Sequence, residues 1–264
     1  MRKRPLAICA VLVLLASLAS MSAVFASPRS TQVQDPFSVT GKPGAITEIT
    51  NLAAVTQAIQ SPGMQRYTMP EIYQGMSQVR YFQVQGQMQA DGKYHYPITV
   101  HMEQGVQAAA VEIAENRDTN VEVVAVGVQG YDAVQPLTTT SSANLATVWY
   151  DPFDLQLVQV FTYLTWTWTG STVTSSSARY PATILYPDGW IHWGSETHDS
   201  GHGSGGAFAT TNGTYNNTPF CGGTWVEFSP TEVYGLANGT RSYTVDAQKW
   251  GGCTPALHWG AHFN

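Results

Sequence analysis

Most of the side chains able to do chemistry crowd into one stretch, Glu196-Thr197-His198-Asp199-Ser200-Gly201-His202-Gly203-Ser204-Gly205-Gly206, with His192 just before it. Imidazole and carboxylate groups together suit zinc or copper, so a metal site would draw on His192, His198, His202 and either Asp199 or Glu196. The four-residue step from His198 to His202 puts two imidazoles on one face of a helix. The glycines of 201–206 oppose a helix there. The same step separates His258 from His262, again among strand-forming residues. Gly, Ser and Asp are the ordinary residues of loops, so the stretch reads as a solvated glycine-rich loop between two strands. The expectation is no metal and no cofactor.

Two other chemistries are open to these residues. Gly203-Ser204-Gly205-Gly206 resembles part of the Gly-Asp-Ser-Gly-Gly signature of chymotrypsin-like proteases, which implies a nucleophilic Ser204. Gly203 stands where that family has Asp, and His101 lacks the family's Ala-Ala-His-Cys setting. A lipase-type elbow needs Gly where His202 stands. A glycosidase needs two carboxylates about 5–10 Å apart; Asp188, Glu196, Asp199 and Glu227 are present, and nothing in their spacing selects a pair.

All eight tryptophans lie after residue 148. Trp190 and Trp193 fall on opposite faces of a strand, so one of them faces out. An exposed indole beside amide and hydroxyl groups is a surface for a sugar ring or a peptide. The candidate binding residues are thus Trp190, His192, Trp193, His198, Asp199 and His202.

The N-terminus sets the compartment. Arg2, Lys3 and Arg4 precede an apolar run from Leu6 to about Leu18, and the small residues around Ala26 suit a signal peptidase. This is the pattern of a secretory signal peptide over 1–26, which leaves a secreted chain with no stable membrane insertion. Three of the 12 Lys and Arg lie in that leader and none of the 18 acids, so the mature chain carries a formal charge of −9. Such a chain has no basic patch to neutralise phosphates, which excludes nucleic-acid binding. Cys221 and Cys253 are the cysteines left outside the leader, and in an oxidising compartment they read as a disulfide stabilising by about 3–4 kcal/mol. The glycines beside each, Gly222-Gly223 and Gly251-Gly252, let two backbones approach closely.

The elements follow from periodicity. Residues 27–45 read as a flexible segment, and 51–60 as a short helix capped by Thr50. Phe82–Met88 and Tyr94–Met102 alternate as a hairpin. Its three-residue Ala90-Asp91-Gly92 loop pairs Met88 with Tyr94, Val84 with Ile98 and Phe82 with Val100, and sends His95 and His101 to the wetter face. Three alanines favour a helix over 106–115, with a strand as the alternative. Val121 to Val128 reads as a buried strand. These elements make a small α+β domain over 46–135, followed by a Thr/Ser linker over 136–146.

Residues 147–264 read as an antiparallel β-sandwich of about eight strands. Val158, Val160, Leu164, Trp166 and Trp168 share one face, and turns are expected at Tyr186-Pro187-Asp188-Gly189-Trp190, Asn212-Gly213 and Asn238-Gly239. Sequons begin at Asn212, Asn216 and Asn238 and mark exposed loops. Ile191-His192-Trp193-Gly194-Ser195 echoes Leu257-His258-Trp259-Gly260-Ala261, as two strands in equivalent surroundings would. The sequence thus points to a mainly β, secreted, non-enzymatic binding or structural module, with a carbohydrate or a protein surface as ligand. A hydrolase or metal-dependent enzyme using 192–204 is the alternative, and it requires at least three of those side chains in one pocket.

Overall fold

A computed structural model describes residues 37–42, 44–50, 78–103, 106–116, 121–131, 139–153, 155–186 and 189–263; for 37, 78, 79, 106–116, 121–131 and 221 it describes the backbone alone. In chain order the strands are β1 (Phe37–Thr40), β2 (Ile46–Glu48), β3 (Gln78–Gln85), β4 (Gln87–Met88), β5 (Tyr94–Met102), β6 (Val106–Asn116), β7 (Val121–Tyr131), β8 (Thr139–Tyr150) and β9 (Gln156–Trp168). Then come β10 (Val173–Arg179), β11 (Ile184–Leu185), β12 (Ile191–His192), β13 (Thr197–Gly203), β14 (Gly206–Asn217), β15 (Thr224–Leu236), β16 (Arg241–Gly251) and β17 (His258–Phe263). No α-helix occurs among the described residues.

The strands form two antiparallel sheets. One runs β1-β5-β16-β15-β14-β12, with β4 added on β5 and β13 on β14. The other runs β10-β9-β8-β17-β6-β7-β3-β2, with β11 added on β9. The sheets pack face to face, an arrangement consistent with a β-sandwich. Period-2 alternation supplies the core. Val158, Val160, Leu164, Trp166 and Trp168 of β9 are all buried, as their shared parity predicts. Across the seam Trp149 packs on Phe228 at 6.0 Å, Tyr96 on Trp259 at 6.5 Å and Tyr243 on Phe263 at 5.3 Å. The Thr162 hydroxyl donates to Thr211 Oγ1 at 2.9 Å, so a polar pair also spans the core.

Several expectations give way. Residues 106–116 form β6, a strand flanked by β7 and β17, because two neighbours offering backbone partners outweigh the helix preference of three alanines. The α half of the α+β reading therefore fails there; the helix over 51–60 lies outside the described residues. Residues 139–146, assigned by composition to a linker, are the first part of β8, and Val39 in the expected flexible segment pairs with Val100. Strands from 46–135 and 147–264 form separate blocks that join once within each sheet, β5 against β16 and β6 against β17, and Pro36 to Asn264 forms one compact unit.

The hairpin is half as expected. Met88 does pair with Tyr94, and Gly92 takes a left-handed φ of 81°. Phe82 and Val84 do not meet Val100 and Ile98: β3 pairs with β7 and β2 in the opposite sheet. The chain changes sheet at Gly86, where a Cβ would stand 2.6 Å from the Tyr96 ring.

Of the turns, Asn238-Gly239 closes β15 to β16, with Leu236 N–H donating to Thr240 O at 2.8 Å. Asn212-Gly213 is not a turn but a β-bulge inside β14, and a Cβ at Gly213 would stand 2.3 Å from the Tyr215 hydroxyl. Pro187 and Asp188 lie outside the described residues; Gly189 has the positive φ, 86°, that such a turn uses. The two echoing segments sit differently: β12 is an exposed edge, whereas β17 is buried between β8 and β6.

Gly235 lies under the Trp166 indole, and a Cβ there would stand 2.4 Å from Cδ2. Gly235→Ala is expected to cost about 1–3 kcal/mol by overpacking. Gly203→Ala, with nothing within 4 Å of its Cβ, should cost less than half as much. Denaturant midpoints of the two variants check this.

Candidate functional site

The glycine-rich stretch is a strand, β13, a two-residue turn at Ser204-Gly205 and the start of β14. A strand rises about 3.3 Å per residue, so the four-residue step from His198 to His202 spans roughly 13 Å instead of one helical turn. The two imidazoles therefore serve different partners. His202 Nδ1 lies 3.0 Å from Ser176 Oγ of β10, the facing edge strand. His198 stacks on Tyr180, centroids 4.4 Å apart, with Nε2 3.1 Å from Glu196 Oε1 and Nδ1 3.3 Å from Thr211 Oγ1. Glu196 Oε2 accepts from Tyr215 OH at 2.9 Å and from Thr183 Oγ1. His192 is exposed, its ring 5.0 Å from Tyr215. Asp199 is exposed; its Oδ1 accepts from Ser200 N–H, and its carbonyl accepts from Tyr180 OH.

The group is thus a clasp across the open edge between the sheets. Glu196 and His198 come together, and Glu196 reaches His192 only through Tyr215. Among the described residues no three of His, Cys, Asp and Glu converge as a metal site. Ser204 tips the hairpin, and its carbonyl accepts Val173 N–H at 2.9 Å. Of the sequons, Asn238 sits in an exposed turn, whereas Asn216 is fully buried, against the expectation of an exposed loop.

Trp190 is in the core at 4% exposure, and Trp193 faces out at 58%. Trp193 leads to a face that sequence reasoning did not single out. The strand registers lay two rows of side chains across the outer surface of the first sheet. In one row Ile191 of β12 neighbours Asn216 of β14, then Trp225 of β15 and Trp250 of β16. In the next, Thr214 neighbours Glu227, then Gln248, then His95 of β5; Trp193 joins its β14 end, donating its backbone N–H to Thr214 O at 2.8 Å.

The aromatic rings support one another. Trp193 meets Trp225 edge-on at 6.4 Å, and Trp225 stacks on Trp250 at 6.2 Å and 7°. The Lys93 ammonium lies 4.2 Å from the Trp250 centroid and 2.5 Å from Glu227 Oε2, within 3.4 Å of Gln248 Oε1. His95 stands between Asp246 at 2.6 Å and Asp91 at 3.3 Å. Burial raises the Asp246 carboxyl above its ordinary range, against the hydrogen bond from His95. Trp225 rests on glycines: a Cβ at Gly223 would stand 2.7 Å from its ring and one at Gly251 3.0 Å. A signal for this face was available in the two-residue steps Trp225–Glu227 and Gln248–Trp250, each aromatic plus polar on one strand face.

No family model, no curated protein and no solved structure matches the chain.

The clasp carries its own test. Burial pushes the Tyr215 phenol far above the usual tyrosine range, so folding favours its neutral form. The stability this supplies is complete below the unfolded tyrosine pKa of about 10 and is lost as the pH rises above it. Tyr215→Phe should flatten the fall of stability above that pH, read from urea midpoints at neutral and alkaline pH. Tyr243, also raised by burial, keeps some of the slope.

Proposed function

We propose that the chain is a secreted, non-enzymatic binding module whose outer sheet face takes a saccharide. The observation that carries this is the row of Trp193, Trp225 and Trp250 beside Thr214, Glu227 and Gln248 on one face. Sugar rings offer C–H faces to indoles and hydroxyls to polar side chains, and the partly exposed Thr214 and Glu227 stand beside the indoles here. The face crosses neighbouring strands about 4.8 Å apart, hence roughly 15–20 Å in all, enough for several sugar rings. Its charges are already paired, Lys93 with Glu227 and His95 with Asp246 and Asp91, which suits an uncharged ligand. A hydrolase built on 192–204 is less favoured, since Glu196 and His198 spend their hydrogen bonds on Tyr215, Thr183 and Thr211.

Trp193→Ala is expected to weaken binding of neutral oligosaccharides at least about tenfold, about 1.4 kcal/mol, with the fold unchanged. Tryptophan-fluorescence titration across a panel of such oligosaccharides measures it. Equal affinity of variant and wild type would remove the site.

Secretion and a Cys221–Cys253 disulfide belong to the same proposal. Support for the disulfide is the approach of the two backbones. Gly252 N–H donates to Gly223 O at 2.9 Å, Cys253 N–H donates to Thr224 Oγ1 at 3.3 Å, and a Cβ at Gly251 would stand 2.4 Å from Gly223 O. Mass spectrometry of secreted protein should give an N-terminus near Ser27. Non-reducing peptide mapping should link the two cysteines, and the double serine variant should lose about 2–5 kcal/mol.

A further inference from the structure

Seven large apolar side chains are exposed among the described residues, and their places are not random. Met88 precedes the β4–β5 loop and pairs with Tyr94, which faces Lys249 near the end of β16. Phe153 and Leu155 lie in the loop from β8 to β9, next to Tyr150, whose partner is His258 at the start of β17. Ile184 of β11 pairs with Gln159 near the start of β9. Ile191 pairs with Asn216 near the end of β14, and Trp193 follows it. Antiparallel register puts all six at the end of the molecule where β16 leaves and β17 begins. Only Tyr234, opposite Ser242, belongs to the other end.

Phe153, at 74%, is the most exposed of them, on a tip that is not loose. Asp151 Oδ1 accepts N–H groups from both Phe153, at 2.7 Å, and Leu155, at 2.9 Å, and Asp151 N–H donates to Leu155 O at 3.0 Å. The backbone N–H groups of Asp151, Phe153 and Leu155 are satisfied within the tip, which lowers the cost of taking them into an apolar phase. Sugars provide no partner for Phe153, Leu155, Ile184 and Met88, because aliphatic and benzyl tips gain most from hydrocarbon. Trp193 and Ile191 belong both to this end and to the saccharide face, so the two surfaces are continuous.

Resting on the saccharide reading, we infer that the saccharide is presented on a lipid bilayer and that the ligand is an uncharged glycolipid. A few shallow apolar contacts alone give weak, reversible membrane binding, and a stable association takes a second signal. Here the headgroup sugar on the Trp193–Trp225–Trp250 row is that second signal. The acidic chain, with 18 acids against 12 bases, disfavours anionic lipid, whose surface potential repels it. Indole side chains settle at the headgroup level, where Trp193 would sit.

The test is sedimentation of the whole protein with phosphatidylcholine vesicles containing galactosylceramide, glucosylceramide or lactosylceramide, with plain and phosphatidylserine-containing vesicles alongside. The expected result is partition onto at least one glycolipid vesicle and little onto the other two kinds. Phe153→Ser combined with Leu155→Ser should lower that partition at least about tenfold while leaving the fluorescence titration with soluble oligosaccharide unchanged. Partition of the double variant equal to wild type overturns the inference, as does partition onto none of the glycolipid vesicles or onto phosphatidylserine alone. The soluble titration reads the saccharide site by itself, so failure of that site and failure of lipid presentation give different results.

Discussion

Two sheets share one core here, and each strand can give that core only alternate residues. Where the largest side chains meet the opposite sheet, something small must face them. The Trp166 indole lies against Gly235 and sends its N–H to Leu236 O at 3.1 Å, while the Thr162–Thr211 pair crosses nearby. A buried hydroxyl pair is tolerated because each group satisfies the other. This seam fixes which face of β14, β15 and β16 is inner. Tyr215, Val226 and Lys249 are fully buried, so Thr214, Trp225 and Trp250 must face out.

The outer face is then held by pairs that each remove a freedom. Lys93 is clamped between an aromatic face and a carboxylate, and His95 between two carboxylates. Exposed ion pairs contribute little, but these are partly shielded by the indoles beside them. Gly223 and Gly251 add a different constraint. They let the β15 and β16 backbones close up beside the cysteines and give the Trp225 ring a bed. The rings are therefore oriented before any ligand arrives, which reduces the ordering cost of binding.

The side of the sandwich needs its own closure. β13 is an edge strand, and an open edge invites pairing with another chain. Side chains and one backbone N–H of the facing edge occupy it. Tyr180 OH reaches Asp199 O, Ser176 meets His202, and Val173 N–H reaches Ser204 O. The histidine-rich stretch that looks chemical in the sequence is doing this closing work, with His198 paired to the half-buried Glu196 at its start.

Local pattern alone determined the strand parity of β9, the β15–β16 turn at Asn238-Gly239, the Met88–Tyr94 pairing with its left-handed Gly92, and the mainly β class. Each depends on residues within one strand or one turn, where period and φ preference decide the outcome. The sequence also put Trp193 and Trp190 on opposite faces, though not which was outside. What it could not determine depends on partners distant along the chain. Alanines of β6 become a strand because β7 and β17 supply hydrogen bonds on both sides. β3 leaves its neighbour β4 for the other sheet because Gly86 lets the chain pass the Tyr96 ring. The His198–His202 step lost its metal-site meaning once β14 made that segment a strand. The Trp225–Trp250 row exists only through the register of β15 on β16, a relation between residues 25 positions apart that no local window contains.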